Sequence, residues 1–384
     1  MDLHIDGRDI VRIVIVTSIA PDRENRGGPS GLIWEIEQFL KSNTAYDVTT
    51  ITVPESKNKY VRQLHTWGRA LRPLDISLDI YDKILVYPDF LLARLPKKYY
   101  AKITVLAPDA SSMVGRRKYK QYQADASVSC IKVWYQYLYA QNYLCFEKTH
   151  IPAVEHYLVV GKKDRLWLRR NLSVEDREIV KFLLHPLLTH SLLPLSVSAM
   201  KRREGRRFVF SGDMRYSYVG KNIVALAKCL SEKDSSFVSK LQILVVGKNN
   251  QWIADLFSEN TAAQVSYEAW IEHYQDICIM GQDVHCVPLL AGGGTKNRVV
   301  TALANGLELI STSVGVENIP VSSNQNIYVC NSMNDFVACM IRLQQQDTWD
   351  ESDMMHATEA ARQFRERVDV GFASLWSYLW NEGE

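Results

Sequence analysis

Two tandem α/β domains, each a doubly wound parallel sheet with helices on both faces, are the fold this sequence predicts. Three observations lead there. A chain of 384 residues exceeds the size at which one hydrophobic core stops growing, so two domains are the first expectation. Short apolar runs of strand type alternate with amphipathic helical periods, and this alternation begins afresh at Phe208. Glycine-bearing loops follow several of the runs, and the most distinctive joins a buried strand to a helix between Val287 and Ile319.

The first half opens with a strand over Val11 to Ile19, a loop RGGPSG containing Gly27 and Gly28, the helix LIWEIEQFLKS and a strand over Asp47 to Val53. Further strands are expected at Lys83 to Pro88, Ala101 to Pro108 and His156 to Gly161. The second half repeats the pattern with a strand over Phe208 to Gly212, the helix KNIVALAKCLSEK, a strand over Leu241 to Gly247, a helix near Gln251 to Glu259 and a weaker strand over Ala263 to Tyr267. Between Pro194 and Arg207 the chain turns from apolar to strongly basic, which sets the expected domains at 1–200 and 201–384. KRREGRR reads as an exposed linker. A final helix is expected over about Ala357 to Leu379.

The segment VPLLAGGGTKNRVVTALANG carries the strongest chemical signal. Val299, Val300, Leu303 and Ala304 fall at helical spacing up to Gly306, a natural stop. Gly292, Gly293 and Gly294 lack side chains, so the backbone is expected to leave open space for a ligand. A helix start presents unpaired N–H groups and the positive end of a dipole, and Lys296 and Arg298 add full charges suited to a diphosphate. The plainer reading of one glycine triplet is a strand-to-helix crossover with solvated cations. A strand over Leu307 to Thr312 follows and ends in the small-residue turn Ser313-Val314-Gly315.

Composition excludes several classes. Hydrophobic residues at 47% and charged residues at 23% are typical of globular chains, and a net charge of only +2 argues against a general nucleic-acid binder. Seven cysteines without a CxxC pair read as reduced thiols of a cytoplasmic protein. The opening MDLHIDGRDIVRIVIV is unlike a signal peptide, and no segment reaches roughly 18 uninterrupted apolar residues. The expected location is the cytoplasm, at the inner face of a membrane. His185 and His190 lack nearby Cys or carboxylate partners and read as structural, so no metal is expected.

The order FSGDMRYSYVGKN, LQILVVG, HCVPLLAGGGTKNRVVTALANG and ISTSVGVENI resembles the nucleotide-sugar half of GT-B glycosyltransferases, specifically the bacterial family 4-like, group 1 transferases. In the first half the resemblance rests on the opening strand with its glycine loop and on FEKTHIPAVEHYLVVGKKDRLWL. It implies two Rossmann-like domains facing a cleft, the first for an acceptor and the second for a nucleotide sugar, with a C-terminal helix crossing back.

Roles follow position by position. Gly212 ends a strand, and Arg215 and Lys221 resemble the pair of cations that clamps the donor diphosphate; each such contact is worth about 1.5–3 kcal/mol. Gly292, Gly293, Gly294 and Thr295 match the loop under the phosphates, and Lys296 resembles the basic residue found there in one branch of the family. Val265 to Trp270 falls where the family surrounds the base, near Tyr267, while Gly28 would approach the phosphates from the other domain. Two family glutamates are absent: one position is occupied by a glycine of the AGGG run and the other by Thr301. A hydroxyl cannot reproduce a carboxylate, so either the ribose is held elsewhere, for instance by Glu317, or the site is weakened.

On the acceptor side, Asp109 follows the strand AKITVLAP, where open α/β sheets place ligands. A carboxylate there could act as general base in an inverting reaction or orient the acceptor in a retaining one, whereas PDASS also suits a plain capping turn. Glu147 reads as an acid or base candidate or as a solvated helix charge. KKYYAK, GRRKYKQYQ and WYQYLYAQNYLCF interleave cations with aromatics, which fits contact with an anionic membrane, stacking on sugars, or a helix with an aromatic core face.

Together these readings point to a metal-independent, hexosyltransferase-like enzyme of polysaccharide or cell-surface glycan biosynthesis. It would move a sugar from a UDP- or GDP-type donor to a hydroxyl of a glycan or lipid-linked glycan, without a cofactor or nucleic acid. The alternatives are a nucleotide-sugar epimerase of the same architecture and a degenerate, non-catalytic nucleotide-sugar-binding protein.

Overall fold

The computed structural model describes residues 10–22, 29–53, 74–195, 205–212, 214, 217–289, 291–322, 326–346 and 349–380. They form two compact units: residues 1–190 with 293–295, and residues 191–292 with 296–384.

The first unit runs β1 (Val11–Thr17), α1 (Pro29–Lys41), β2 (Tyr46–Thr52), β3 (Lys83–Tyr87), β4 (Ile103–Ala107), α2 (Ser111–Gln123), α3 (Cys130–His150), β5 (His156–Val159), α4 (Lys162–Asn171) and β6 (Val180–Phe182). Its strands lie in the order β2-β1-β3-β4-β5-β6, all parallel. The inner strands are apolar on both faces because helices cover both, as in the fully buried Ile13–Val16 and Ile84–Val86. The chain leaves β1 for β2 on one side and then for β3 on the other, so the switch point lies between β1 and β3.

The second unit contains β7 (Arg207–Ser211), α5 (Ser217–Ser231), α6 (Ser235–Val238), β8 (Gln242–Val246), α7 (Gln251–Asn260), β9 (Gln264–Glu268), β10 (Asp283–Val287), α8 (Asn297–Ala304), β11 (Glu308–Ser311), β12 (Ile327–Val329), α9 (Met333–Gln345) and α10 (Glu351–Trp380). The order β12-β11-β10-β7-β8-β9 is again fully parallel. Here the switch point falls between β7 and β10. Gly306, at φ 68°, ends α8 with the left-handed residue that a helix terminus favours.

Three details differ from the sequence reading. The short strands β6, VKF, and β12, IYV, three residues each, had no expectation. In the KKYYAK turn, Tyr99 and Tyr100 are buried in the core of the first unit, so they are not surface aromatics. The end of KRREGRR is not a solvated linker either. Arg206 is buried and its Nε donates to Glu308 at 3.0 Å, while Arg207 grips Asp283 through two bonds of 2.8 and 2.9 Å. A guanidinium tolerates burial when its fork is met by a carboxylate and backbone carbonyls, and Arg206 Nη1 adds a bond to Leu343 O at 2.6 Å.

Candidate functional site

In doubly wound sheets ligands bind beyond the carboxyl ends of the strands at the switch point, which in the second unit means the loops after β7 and β10. The β7 loop turns at Gly212, φ 95°, a conformation a side chain would strain. A Cβ there would also meet the Arg298 guanidinium at 2.8 Å. Arg298, in the first turn of α8, donates to Ser211 O at 2.8 Å and so holds its charge against the end of β7. Lys296 stands at the N-cap of α8, and its Nζ lies 3.2 Å from where a Gly292 side chain would begin. Two cations and a helix start therefore converge at this switch point.

Asn250 supports the same turn, and the sequence reading missed it. Fully buried, it donates from Nδ2 to Gly212 O at 2.5 Å and Val246 O at 2.8 Å, and accepts from Met214 N at 3.2 Å. Its one signal was its place just after the strand LQILVVG. The return from β11 is knitted in a similar way, with Ser311 Oγ donating to Val287 O at 3.1 Å and Thr312 Oγ1 to Leu289 O at 2.5 Å.

Lys221 lies exposed in the second turn of α5. Tyr267, on the outermost strand β9, donates its hydroxyl to Gly247 O at 3.1 Å. Thr301 and Glu317 are buried. Arg215 and Gly28 lie outside the described residues.

The glycine triplet differs from the expectation of open space. Side chains at Gly293 would collide with Val114 and Asp109, and one at Gly294 with the carbonyl of Pro108. Close packing of backbone within the first unit is what these two glycines permit. Gly294 N donates to Asp164 at 3.1 Å, and Thr295 Oγ1 donates to Val160 O. The same Asp164 carboxylate, fully buried, accepts from Ala110 N at 2.9 Å.

Asp109 is partly exposed beyond the end of β4. It is not the helix cap that PDASS suggested, because Ala110 occupies the N-cap of α2. Around it the first unit gathers buried acids. Asp89, after β3, accepts from Tyr157 Oη at 2.9 Å, and burial pushes its carboxyl up to about 6. Of the two expectations for Glu147, a solvated helix charge or an acid–base group, the first is corrected, for it is only 1% exposed. Burial pushes its carboxyl up to about 8, with smaller contributions from Asp89 and Asp109, although Ser112 hydrogen bonds oppose the shift. His185 donates from Nδ1 to Pro186 O at 2.7 Å, and burial lowers it to about 4, in keeping with a structural role.

The aromatic segment has a more exposed face than a core helix would. Ile131 (74% exposed), Trp134 (63%), Tyr135 and Tyr137 lie on the surface of α3. Between α2 and α3 a groove of about 460 Å³ is lined by Tyr119, Tyr122, Trp134 and Tyr137, with Arg116, Lys120 and Lys132 exposed on the same two helices. Among the described residues no cluster of potential metal ligands occurs, and no helix is long and apolar enough to cross a membrane.

No protein-family model and no curated protein sequence matches the chain. Solved structures do. A sucrose-phosphate synthase from Thermosynechococcus elongatus is similar at a TM-score of 0.61 and 14% identity over 97% of this chain and 100% of that one. HepE from Anabaena, determined in complex with UDP-glucose, is similar at 0.57 and 10% identity over 96% and 99%. A UDP-forming α,α-trehalose-phosphate synthase from Burkholderia vietnamiensis is similar at 0.59 and 10% identity over 96% and 98%. Two parallel doubly wound sheets, with the strand orders described above, give this chain the GT-B fold of glycosyltransferases.

Proposed function

We propose that the chain is a glycosyltransferase that moves a sugar from a nucleotide diphosphate donor to a hydroxyl of a glycan or lipid-linked glycan. The observation that carries this reading is the convergence of Lys296, Arg298 and the Gly212 turn at the β7/β10 switch point. A departing diphosphate is where most charge develops in transfer, and fixed cations stabilise it without reorganising. Arg215 and Lys221 are assigned to the same leaving group, and the base to the backbone near Tyr267. Thr301 and Glu317 are assigned to the ribose hydroxyls. Gly28 is assigned a close approach to the phosphates. The chain's own cations carry the charge stabilisation, so the reaction is proposed to proceed without metal or cofactor.

Asp109 is assigned to the acceptor hydroxyl, as base or orienting group. A lipid-linked acceptor would be reached from the inner face of an anionic membrane, against which the α2–α3 groove and the exposed cations of the same helices would rest, and the cytoplasm is the location proposed with this reading. The fold's occurrence in a structure containing UDP-glucose supports a UDP-type donor.

Incubation with UDP- and GDP-sugars, with and without membranes, tests the reading. Transfer requires an acceptor, whereas epimerisation does not. A binding protein would raise its melting temperature with nucleotide and turn nothing over, and that result would overturn the enzymatic reading.

A further inference from the structure

Glu147 is a buried carboxyl that the proposed chemistry does not use. It sits on α3 and receives the backbone N–H of Ser112 on Oε1 at 3.0 Å and the Ser112 hydroxyl on Oε2. Trp167 of α4 donates its indole N–H to that same hydroxyl at 2.8 Å. Three helices therefore meet at one serine, in the first turn of α2 and three residues after Asp109. Removing a carboxyl from water is costly, and here its partners are an amide and a hydroxyl, not a cation. With no cation to meet, what the carboxyl supplies is the pair of hydrogen bonds that hold the Ser112 amide and hydroxyl, and with them the first turn of α2.

We propose that Glu147 is a positioning residue: through Ser112 it fixes the first turn of α2 and thereby the placement of Asp109. This rests on the assignment of Asp109 to the acceptor. The groups facing it are Asp89 with its donor Tyr157, and Asp109; Arg116 lies over the Trp167 ring at 5.4 Å. The acids in this set disfavour a further negative charge, which agrees with burial in keeping the proton on Glu147 near neutral pH.

The sign of the pH effect follows. An unfolded glutamate loses its proton near its ordinary value of 4.5, while the folded one holds it to about 8. Across that window the folded state binds the extra proton, so stability falls as pH rises and levels off above about 8. His150, His185 and His285 oppose it, because burial lowers their folded values below the 6.5 at which they titrate unfolded, so the share of Glu147 is read as the difference in slope between wild type and variant, up to about tenfold in the unfolding equilibrium constant per pH unit between pH 6.5 and 7.5.

The test compares the full-length wild type with Glu147→Gln and Glu147→Ala. Denaturant unfolding from pH 6.5 to 8 should lose this slope in both variants. Hydrogen exchange over residues 110–114 should stay protected in Glu147→Gln, whose amide can meet both Ser112 groups, and rise about tenfold or more in Glu147→Ala, while UDP affinity by calorimetry stays unchanged in both. UDP release from UDP-glucose should be retained by Glu147→Gln. Unchanged exchange in Glu147→Ala, or an unchanged pH slope in Glu147→Gln, would overturn the inference. Absence of turnover in the wild type would overturn the transferase reading alone, since exchange and unfolding are read without it.

Discussion

A single charge at a loop end decides more here than its exposure suggests. Lys296 stands at the N-cap of α8 with its ammonium beside Gly292, and no side-chain bond caps the helix end. Lys296→Ala should therefore weaken UDP binding about tenfold, the worth of one charge-assisted contact near 1.4 kcal/mol, with the melting temperature nearly constant. Equal affinity by calorimetry would remove Lys296 from the diphosphate site. Asp109→Asn should do the opposite: UDP affinity is kept and transfer falls about 100-fold or more. Near-normal transfer would return PDASS to the status of a turn. Both residues draw attention in the sequence by position, Asp109 directly beyond an apolar run and Lys296 at the end of a glycine loop. Asn250 does not, since an asparagine after a strand can serve many turns and only the structure shows it bonded to Gly212 O. Glu147 was misjudged for a related reason. One face of α3 is buried and another exposed, and a sequence of mixed aromatics and polar residues gives no clear periodic stripe to say which face holds the carboxyl.

At the scale of elements, the legible parts were those with strong periodicity. The apolar runs at β1, β3, β4, β5, β7, β8, β10 and β11 are buried between helix layers and announce themselves. The three-residue strands β6 and β12 lie at sheet edges with partly exposed residues, and three residues are too few to display a period. The glycine triplet shows a different limit. Sequence alone identifies positions that exclude a side chain, but not whether a ligand or another stretch of backbone occupies the space. For Gly293 the neighbours are Val114, Asp109 and Asp164, so Gly293→Val should destabilise the fold by about 1–3 kcal/mol through overpacking. Thermal unfolding would show this directly. A melting temperature within error of the wild type, with nucleotide binding lost, would restore the expectation of open space under the phosphates.

For the molecule as a whole, a formal charge of +2 hides a local asymmetry that matters for partners. Arg116, Lys120 and Lys132 stand on the same pair of helices as Ile131 and Trp134, the most exposed large apolar residues of α3. Exposed apolar side chains on helices that also carry exposed cations suit the interface of an anionic bilayer, where each Lys or Arg contributes about 1 kcal/mol and aromatic rings seat at the headgroup level. Vesicles containing anionic lipid should therefore retain the protein at low salt and release it as salt screens the attraction, while neutral vesicles retain much less. Replacing both Ile131 and Trp134 with serine should weaken retention several-fold without altering UDP affinity, because those side chains are solvated in the first unit and the cations at the β7/β10 switch point belong to the second. Retention unchanged by lipid charge, by salt and by the double substitution would mean that the aromatic groove serves a soluble glycan, and sedimentation with vesicles distinguishes the two outcomes.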